Sequence, residues 1–471
     1  MSICAALALL ALTSPAASAS AATRGAATSV APADGAQDWT TWGYDVQRTG
    51  FNPNENTLGP TTVHGLHLLW SFPFALKSDN APVLASDVLV NDTPTTLIYA
   101  GDRTGTFHAV NADTGAEVWS RQMGTNVTCA GVLGVTDTAV VDRSTNLLYV
   151  AGGDGKLYAL DLATGQDAPG WPLQITSFPN EYVWSAITEF DGSLYVAIAS
   201  GCDGLGTNYG RVVQVDPVSV TQTAAFYVTD GPNTGVWGGG VWGWGGVSID
   251  PANGNAYEVS ANGYPEDPYE HFDYAESLVR LGTDLSVVSS NYPGLNGFNV
   301  DFGSTPVLFD SPHGCGPQLA VEGKTGELFL YDRDDIASGP VDRLQVSGAN
   351  LIGVPGYDPV HRLLFVGNSA DSPDGTYKSG LLAFRVGKDC KLHVAWQRPG
   401  GGGVTGSPVI ANGVVYYGNG TGHKLLAFDA KTHKKLWTSR LLFTTSLQTE
   451  PIVVGGRVYV TTGLGLYAFG L

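Results

Sequence analysis

The chain of 471 residues carries 43 acidic against 24 basic side chains, a net charge of -19, with only 14% charged residues in all. Nucleic-acid affinity rests on Lys and Arg neutralising phosphates, so this balance argues against nucleic acid as a partner. Sixty-two Gly and 26 Pro call for many tight turns, and 10% aromatics are too many for a disordered chain. Beyond the extreme N-terminus no run approaches the roughly 20 apolar residues that span a bilayer, so no membrane span is expected.

In chain order, residues 2–19 are apolar and alanine-rich and end in Ala17-Ser18-Ala19, the small-x-small pattern of a signal-peptidase site. Residues 1–19 therefore read as a signal peptide and the mature protein as secreted, periplasmic or extracellular. The segment lacks a basic start, and a disordered alanine-rich tail is the alternative. Residues 20–37 read as a flexible Ala/Ser/Thr linker. Asp38-Trp39-Thr-Thr-Trp42 through Arg48-Thr-Gly50-Phe-Asn-Pro-Asn54 has no strand alternation and is expected to wrap the fold as an ordered arm. Leu66-His-Leu-Leu-Trp70-Ser-Phe72 follows as a lone strand.

From there one cadence recurs: aromatic or aliphatic, any residue, aliphatic, then often Asp. It reads His108-Ala-Val-Asn111, Tyr158-Ala-Leu-Asp161, Val213-Gln-Val-Asp216, Val279-Arg-Leu-Gly282, Phe329-Leu-Tyr-Asp332, Leu382-Ala-Phe-Arg385, Leu426-Ala-Phe-Asp429 and Tyr467-Ala-Phe-Gly470. Subtracting the fourth positions gives spacings of 50, 55, 66, 50, 53, 44 and 41 residues. Periods of this size with several short strands each mean a radial β array. Within a repeat, the stretch from Leu147 to Gly165 holds two β-branched or aromatic runs joined by a Gly-Asp-Gly turn, a hairpin signal. An Asp-x-x-Thr-Gly turn then leads to a further strand bearing Trp.

A unit this small cannot bury its faces alone and must stack on its neighbours. Its C-terminal copy stops after a third strand, and Leu66–Phe72 supplies a fourth, which removes the open edge. The expectation is an all-β, eight-bladed β-propeller of four-stranded antiparallel blades over 38–471, closed by N- and C-terminal strands sharing one blade. Seven blades stay open as an alternative, because the fourth and sixth copies are weak.

Five cysteines occur, four of them beyond the first 19 residues: Cys129, Cys202, Cys315 and Cys390. An even number in an exported chain suggests two disulfides, and neighbour-first pairing joins Cys129 to Cys202 and Cys315 to Cys390; free buried thiols are the alternative. There is no Cys-x-x-Cys-His, so covalent haem is not expected. Nucleophile elbows, phosphate loops and His-Glu-x-x-His are absent too, which leaves hydrolase and zinc chemistry without a carrier.

The Ala-x-Asp-x-x-Thr-Gly-x-x-x-Trp repeat, eightfold over about 38–471, resembles the pyrroloquinoline-quinone (PQQ) propeller proteins. That group includes quinoprotein alcohol dehydrogenases, polyvinyl-alcohol dehydrogenases among them, and non-catalytic scaffolds. Three segments resemble the dehydrogenases more closely. Trp237 through Pro251 is glycine- and tryptophan-rich, with Trp244 six residues before Asp250 and Asn262 twelve beyond it, matching the family's quinone floor and metal-binding Asn. A rigid indole suits a planar cofactor and a hard cation wants a carbonyl oxygen. Asn299-Val-Asp301-Phe-Gly303 resembles the segment whose Asp is the general base, which implies that role for Asp301. Lanthanide-dependent members carry a second Asp two residues on; Gly303 stands there, so the resemblance implies calcium. Glu322-Gly-Lys324-Thr-Gly through Asp332-Arg333 implies that Lys324 contacts the quinone oxygens.

Two departures stand beside these matches. The family's adjacent-cysteine pair is replaced by Cys129-Ala130, and its metal-binding Glu falls near Asp203, a shorter substitute. Each singled-out residue also has a plain structural reading: Trp244 as blade packing, Asn262, Asp203 and Asp301 as turn formers, Lys324 as a solvated hairpin cation. The resemblance implies a PQQ- and Ca²⁺-dependent dehydrogenase of small or polymeric alcohols, without haem, passing electrons to a separate acceptor. The alternative is a non-catalytic propeller that binds a protein or glycan.

Overall fold

The structure, a computed structural model, describes residues 37–471 apart from 129–130, 201–207, 231–234, 265–270, 296, 298, 403–405, 441–442, 444 and 446. The signal-peptide and linker expectations, with Cys129, Cys202 and Asp203, lie outside the described residues. Those described fall in one compact unit. They contain no α-helix, only two short 3₁₀ turns at Val63–Gly65 and Ile336–Ser338.

Eight antiparallel blades form the ring. Their innermost strands are Val83–Val90, Val140–Asp142, Thr188–Phe190, Ser248–Ile249, Val307–Asp310, Gly356–Asp358, Val409–Ala411 and Ile452–Val454, here numbered blades one to eight. All eight cadences fall on third strands, from Thr106–Asn111 in blade one to Gly465–Gly470 in blade eight. The cadence Asp or Asn closes the following turn with its side chain: Asn111 Oδ1 accepts from Asp113 and Thr114, and Asp161 Oδ1 from Ala163 and Thr164. Blade eight is the shared one, with His67–Pro73 pairing antiparallel to Gly465–Gly470.

The Thr-Gly…Trp part of the repeat is a docking device between blades. Trp119 Nε1 of blade one donates to Leu162 O of blade two at 2.9 Å, and a Cβ on Gly165 would lie 2.6 Å from that indole. The same bond joins Trp396 to Ala430, Trp437 to Leu66 and Trp70 to Ala112. Gly165 is needed twice over, for its φ of +68° and for the room its missing side chain leaves the ring. Apolar residues on facing sheets fill each interface, as where Val83 and Tyr99 of blade one meet Leu148 and Val150 of blade two. Cys315 and Cys390 form a disulfide between blades five and six.

The N-terminal arm is ordered, but it runs inside the ring instead of around it. Its backbone carbonyls accept the outward-starved N–H groups of innermost strands in turn: Leu84 to Trp39, Val141 to Thr40, Ile249 to Val46, Leu308 to Gln47, Tyr357 to Thr49 and Ile410 to Gly50. Every one of these donors is the second residue of its strand. Phe51–Asn52 pairs with blade seven, and Asn52 Nδ2 donates to Val453 O of blade eight. Arg48 serves blade three: its guanidinium, buried with the segment, donates to Thr41 Oγ1, Trp42 O, Thr188 Oγ1 and Val247 O. An innermost strand is an edge, and an edge buried at the axis needs partners for its polar backbone. The arm supplies them and occupies the axis as a plug.

Candidate active site at the mouth of the ring

Each innermost strand runs away from one end of the ring and its hairpin partner returns to it. The residues preceding innermost strands and the turns between second and third strands therefore share that end, the mouth. Asp301 precedes the innermost strand of blade five, and Lys324 sits in that blade's second turn. They meet: Lys324 Nζ lies 2.6 Å from Asp301 Oδ1, and Lys324 N donates to Asp301 O at 3.1 Å. Asp301 Oδ2 accepts from Trp242 Nε1 at 2.9 Å, and the ammonium stands 4.9 Å from the centre of that indole while also donating to Asn299 Oδ1.

Asp301 is 2% exposed, and burial raises its carboxyl above the usual range against the opposing pull of Lys324 and the Trp242 N–H. A carboxylate so placed is oriented by two donors and is more basic than one in water. Gly303 is hemmed in: a Cβ there would lie 2.6 Å from Trp242. The same indole that holds Asp301 leaves no room for a second Asp.

Asn262 lies in the second turn of blade four, and its Nδ2 donates to Glu276 Oε1 at 2.7 Å. Both are buried, so an amide and a carboxylate present hard oxygens side by side. The Asp301 and Asn262 segments are bonded through Phe302 N and Ser260 O at 3.3 Å. Among the described residues no group of three or more His, Cys, Asp or Glu is arranged to hold a metal. Trp244 is 6% exposed and packs in one cluster with Trp42 of the plug, Ala81, Ala186 and Val354. Trp242, rather than Trp244, touches the Asp301–Lys324 pair.

The mouth holds a second group of the same composition, which the sequence reading missed. Asp79, preceding the innermost strand of blade one, pairs with Lys77 at 2.6 Å and with Arg103, whose guanidinium stands 6.0 Å from the centre of Trp184. Arg103 occupies in Asp102-Arg-Thr-Gly105 the place Lys324 has in Gly323-Lys-Thr-Gly326, so aligning the repeats would have found it. Blades one and five are diametrically opposed in a ring of eight. Two Asp–cation–Trp groups thus face each other across the axis. Around it, Ser78 Oγ, Asp137 Oδ1, Trp184 Nε1, Trp244 Nε1 and Thr305 Oγ1, all just before innermost strands, are buried without a protein partner. Polar atoms in that state mark where water or a polar ligand sits.

The fold defines the class, an eight-bladed β-propeller similar to the PQQ-type propellers. Residues 39–174 match the β-propeller domain of glucose, ethanol and alcohol dehydrogenases, and residues 386–469 match the outer membrane protein assembly factor BamB. The polyvinylalcohol dehydrogenase of a Pseudomonas species is 24% identical over 90% of this chain and 73% of its own length. The quinohemoprotein alcohol dehydrogenase of Comamonas testosteroni is 27% identical over 63% of this chain and 45% of its own. Among solved structures, a quinohemoprotein alcohol dehydrogenase from Pseudomonas putida HK5 superposes with a TM-score of 0.74 at 16% identity, covering 92% of this chain and 80% of its own. A europium-containing methanol dehydrogenase gives 0.72 at 16%, covering 92% and 98%. At these identities the superpositions speak for the fold.

Proposed function

We propose that the protein is an exported PQQ-dependent dehydrogenase of alcohols, including polymeric ones, and that it passes electrons to a separate carrier. The observation that carries this reading is the buried Asp301 carboxylate held between Lys324 and Trp242 at the mouth of a quinoprotein-like ring. The residues fit the cofactor's demands. Lys324 and the Lys77–Arg103 pair offer cations to a polyanionic quinone, the unpartnered indole N–H groups offer donors, and Asn262 with Glu276 offers oxygens to Ca²⁺. Asp203, which lies outside the described residues, is the further metal ligand that the resemblance implies. When bound, PQQ supplies the two-electron acceptor and Ca²⁺ the Lewis acid.

The chain does the positioning and the proton chemistry. Asp301 takes the substrate hydroxyl proton at Oδ1 or Oδ2, and burial, by raising its affinity for protons, makes it a better base than a carboxylate in water. Trp242 fixes the carboxylate's orientation through its N–H. Lys324 lies beside it to compensate negative charge that grows as electrons arrive. The test is reconstitution with PQQ, with and without Ca²⁺, followed by absorbance and by reduction of an artificial dye with polyvinyl alcohol and short alcohols. Uptake with alcohol-dependent dye reduction supports the reading; no uptake under any metal condition overturns it in favour of a propeller that only binds.

A further inference from the structure

Blade seven departs from blade two in charge, although the two share one backbone pattern. Counted from the turn-closing cadence residues Asp161 and Asp429, Lys156 matches Lys424, Asp154 matches Gly422 and Asp167 matches Lys435. The strands agree with that count: Asp167 bridges to Leu160 and Lys435 pairs with Phe428, each partner one residue before the cadence Asp. From the preceding blade, Trp119 and Trp396 dock on the residue after that Asp, and each is followed two positions on by an arginine, Arg121 or Arg398. Between blades one and two the cations are matched. Arg121 bonds Asp167 across the gap, and Lys156 Nζ lies 3.0 Å from Asp154 Oδ2. Between blades six and seven both acids are gone, one replaced by glycine and the other by a further cation.

Arg398, Lys424 and Lys435 instead line a cleft of about 400 Å³ between the outermost strand of blade six, Leu392–Pro399, and the facing side of blade seven. That volume is in the range of small-molecule sites. No Asp or Glu lines it, and among the described residues no carboxylate pairs with any of the three cations. The imbalance is wider than the cleft: from Cys390 to Thr449 seven Lys and Arg stand against the single Asp429, in a chain of net charge -19. Leu426 and Phe428 follow Lys424 on the same face of the third strand, because alternate residues of a strand share a face. Lys435 is paired with Phe428, four residues along from Lys424, so the two lysines start about 13 Å apart along the cleft.

We infer that this cleft binds a small organic dianion. Lys424 holds one anionic group, Arg398 with Lys435 holds the other, and the apolar middle of the ligand lies on Leu426 and Phe428. Like charges along one wall repel one another, and an anion placed among them relieves that repulsion while gaining charge-assisted hydrogen bonds. A neutral ligand of the same shape gains neither, and a point anion reaches only one end. The site shares no residue with the mouth and does not depend on the PQQ reading.

The experiment titrates the full chain calorimetrically with biphenyl-4,4′-dicarboxylate, which should saturate one site and raise the melting midpoint. The uncharged biphenyl-4,4′-dimethanol and inorganic sulfate should each bind about tenfold or more weakly. Lys435→Asp copies blade two and gives Arg398 the partner that Arg121 has. It should weaken the dicarboxylate about tenfold or more, while the melting midpoint of the ligand-free chain holds or rises. Lys431→Asp makes the same charge change in the same blade outside the cleft, and should leave the affinity within about twofold. The inference is overturned by no dicarboxylate binding, by binding that Lys435→Asp leaves intact or Lys431→Asp weakens equally, or by equal affinity for the dimethanol or sulfate. A lower midpoint for ligand-free Lys435→Asp also overturns it, since the cleft would then not be an ion-pair position emptied of its acids.

Discussion

Lys324 Nζ stands 2.6 Å from Asp301 Oδ1, with side-chain exposures of only 13% and 3%. Removing one partner of such a pair strands the other, whereas removing both leaves nothing unpaired. Lys324→Met should therefore destabilise the fold by about 3 kcal/mol, and the double change Lys324→Met with Asp301→Asn should recover most of it. Denaturant melts of the two single variants and the double one measure the coupling.

If Asp301 is the base, Asp301→Asn should lower kcat of the reconstituted enzyme by about 100-fold or more while leaving PQQ uptake within a few-fold of wild type. Trp242→Phe keeps the aromatic face under Lys324 and removes only the N–H. It should cost less, about 10-fold in kcat, and move the acidic limb of the pH profile upward, since the lost donor favoured the ionised carboxylate.

Gly303→Asp would place a second carboxylate where lanthanide-dependent relatives have one. Here its Cβ meets Trp242 at 2.6 Å. Terbium luminescence should show no gain in lanthanide binding for Gly303→Asp alone, and a gain when Trp242→Ala makes room. Luminescence from the single variant would show that the loop yields where packing says it should not.

Glu322 and Glu450 are buried carboxyls pushed up to about 8 from an ordinary 4.5, chiefly by desolvation. The folded state then holds protons that the unfolded chain has released, so stability falls as pH rises between about 5 and 8 and levels above that window. Thermal melts across this range should show the decline. Glu322→Gln, which cannot ionise, should flatten it.

Gly165→Ala tests the blade-docking device. The new methyl would sit 2.6 Å from the Trp119 ring at a φ of +68°, so both packing and backbone oppose it. A loss of about 2 kcal/mol is expected, and Trp119→Leu in the same chain should relieve part of it. Additive losses would mean that the ring and the turn do not meet.

The ring was readable because eight copies of one pattern average out local ambiguity, and because each element of the repeat has a separate job. The cadence Asp closes a turn, the Gly makes room, and the Trp docks. The plug had no such signal. Residues 39–52 bond largely through backbone carbonyls, which any sequence possesses, so the lack of strand alternation sets them apart as an arm without saying that they run inside the ring. At the site, the resemblance singled out Asp301 and Lys324, which the fold sets side by side, but the sequence does not say which of Trp242 and Trp244, both in one glycine-rich run, touches that pair. Glu276 sits in no motif and becomes visible only when the chain brings it back to Asn262.

Because His67–Pro73 completes the blade begun by Ile452–Val454, the ring cannot shut until the strand Gly465–Gly470 has been made. The plug segment, made before any of the blades it serves, must meanwhile wait for innermost strands that arrive one blade at a time. Contacts this distant in sequence are slow to form, and a partly synthesised chain exposes both an unfinished edge and the inner strands awaiting the plug. Removing either element therefore acts on the whole molecule at once: loss of His67–Pro73 or of Gly465–Gly470 leaves an open arc with an unpaired edge, and such arcs should aggregate instead of surviving as shorter propellers.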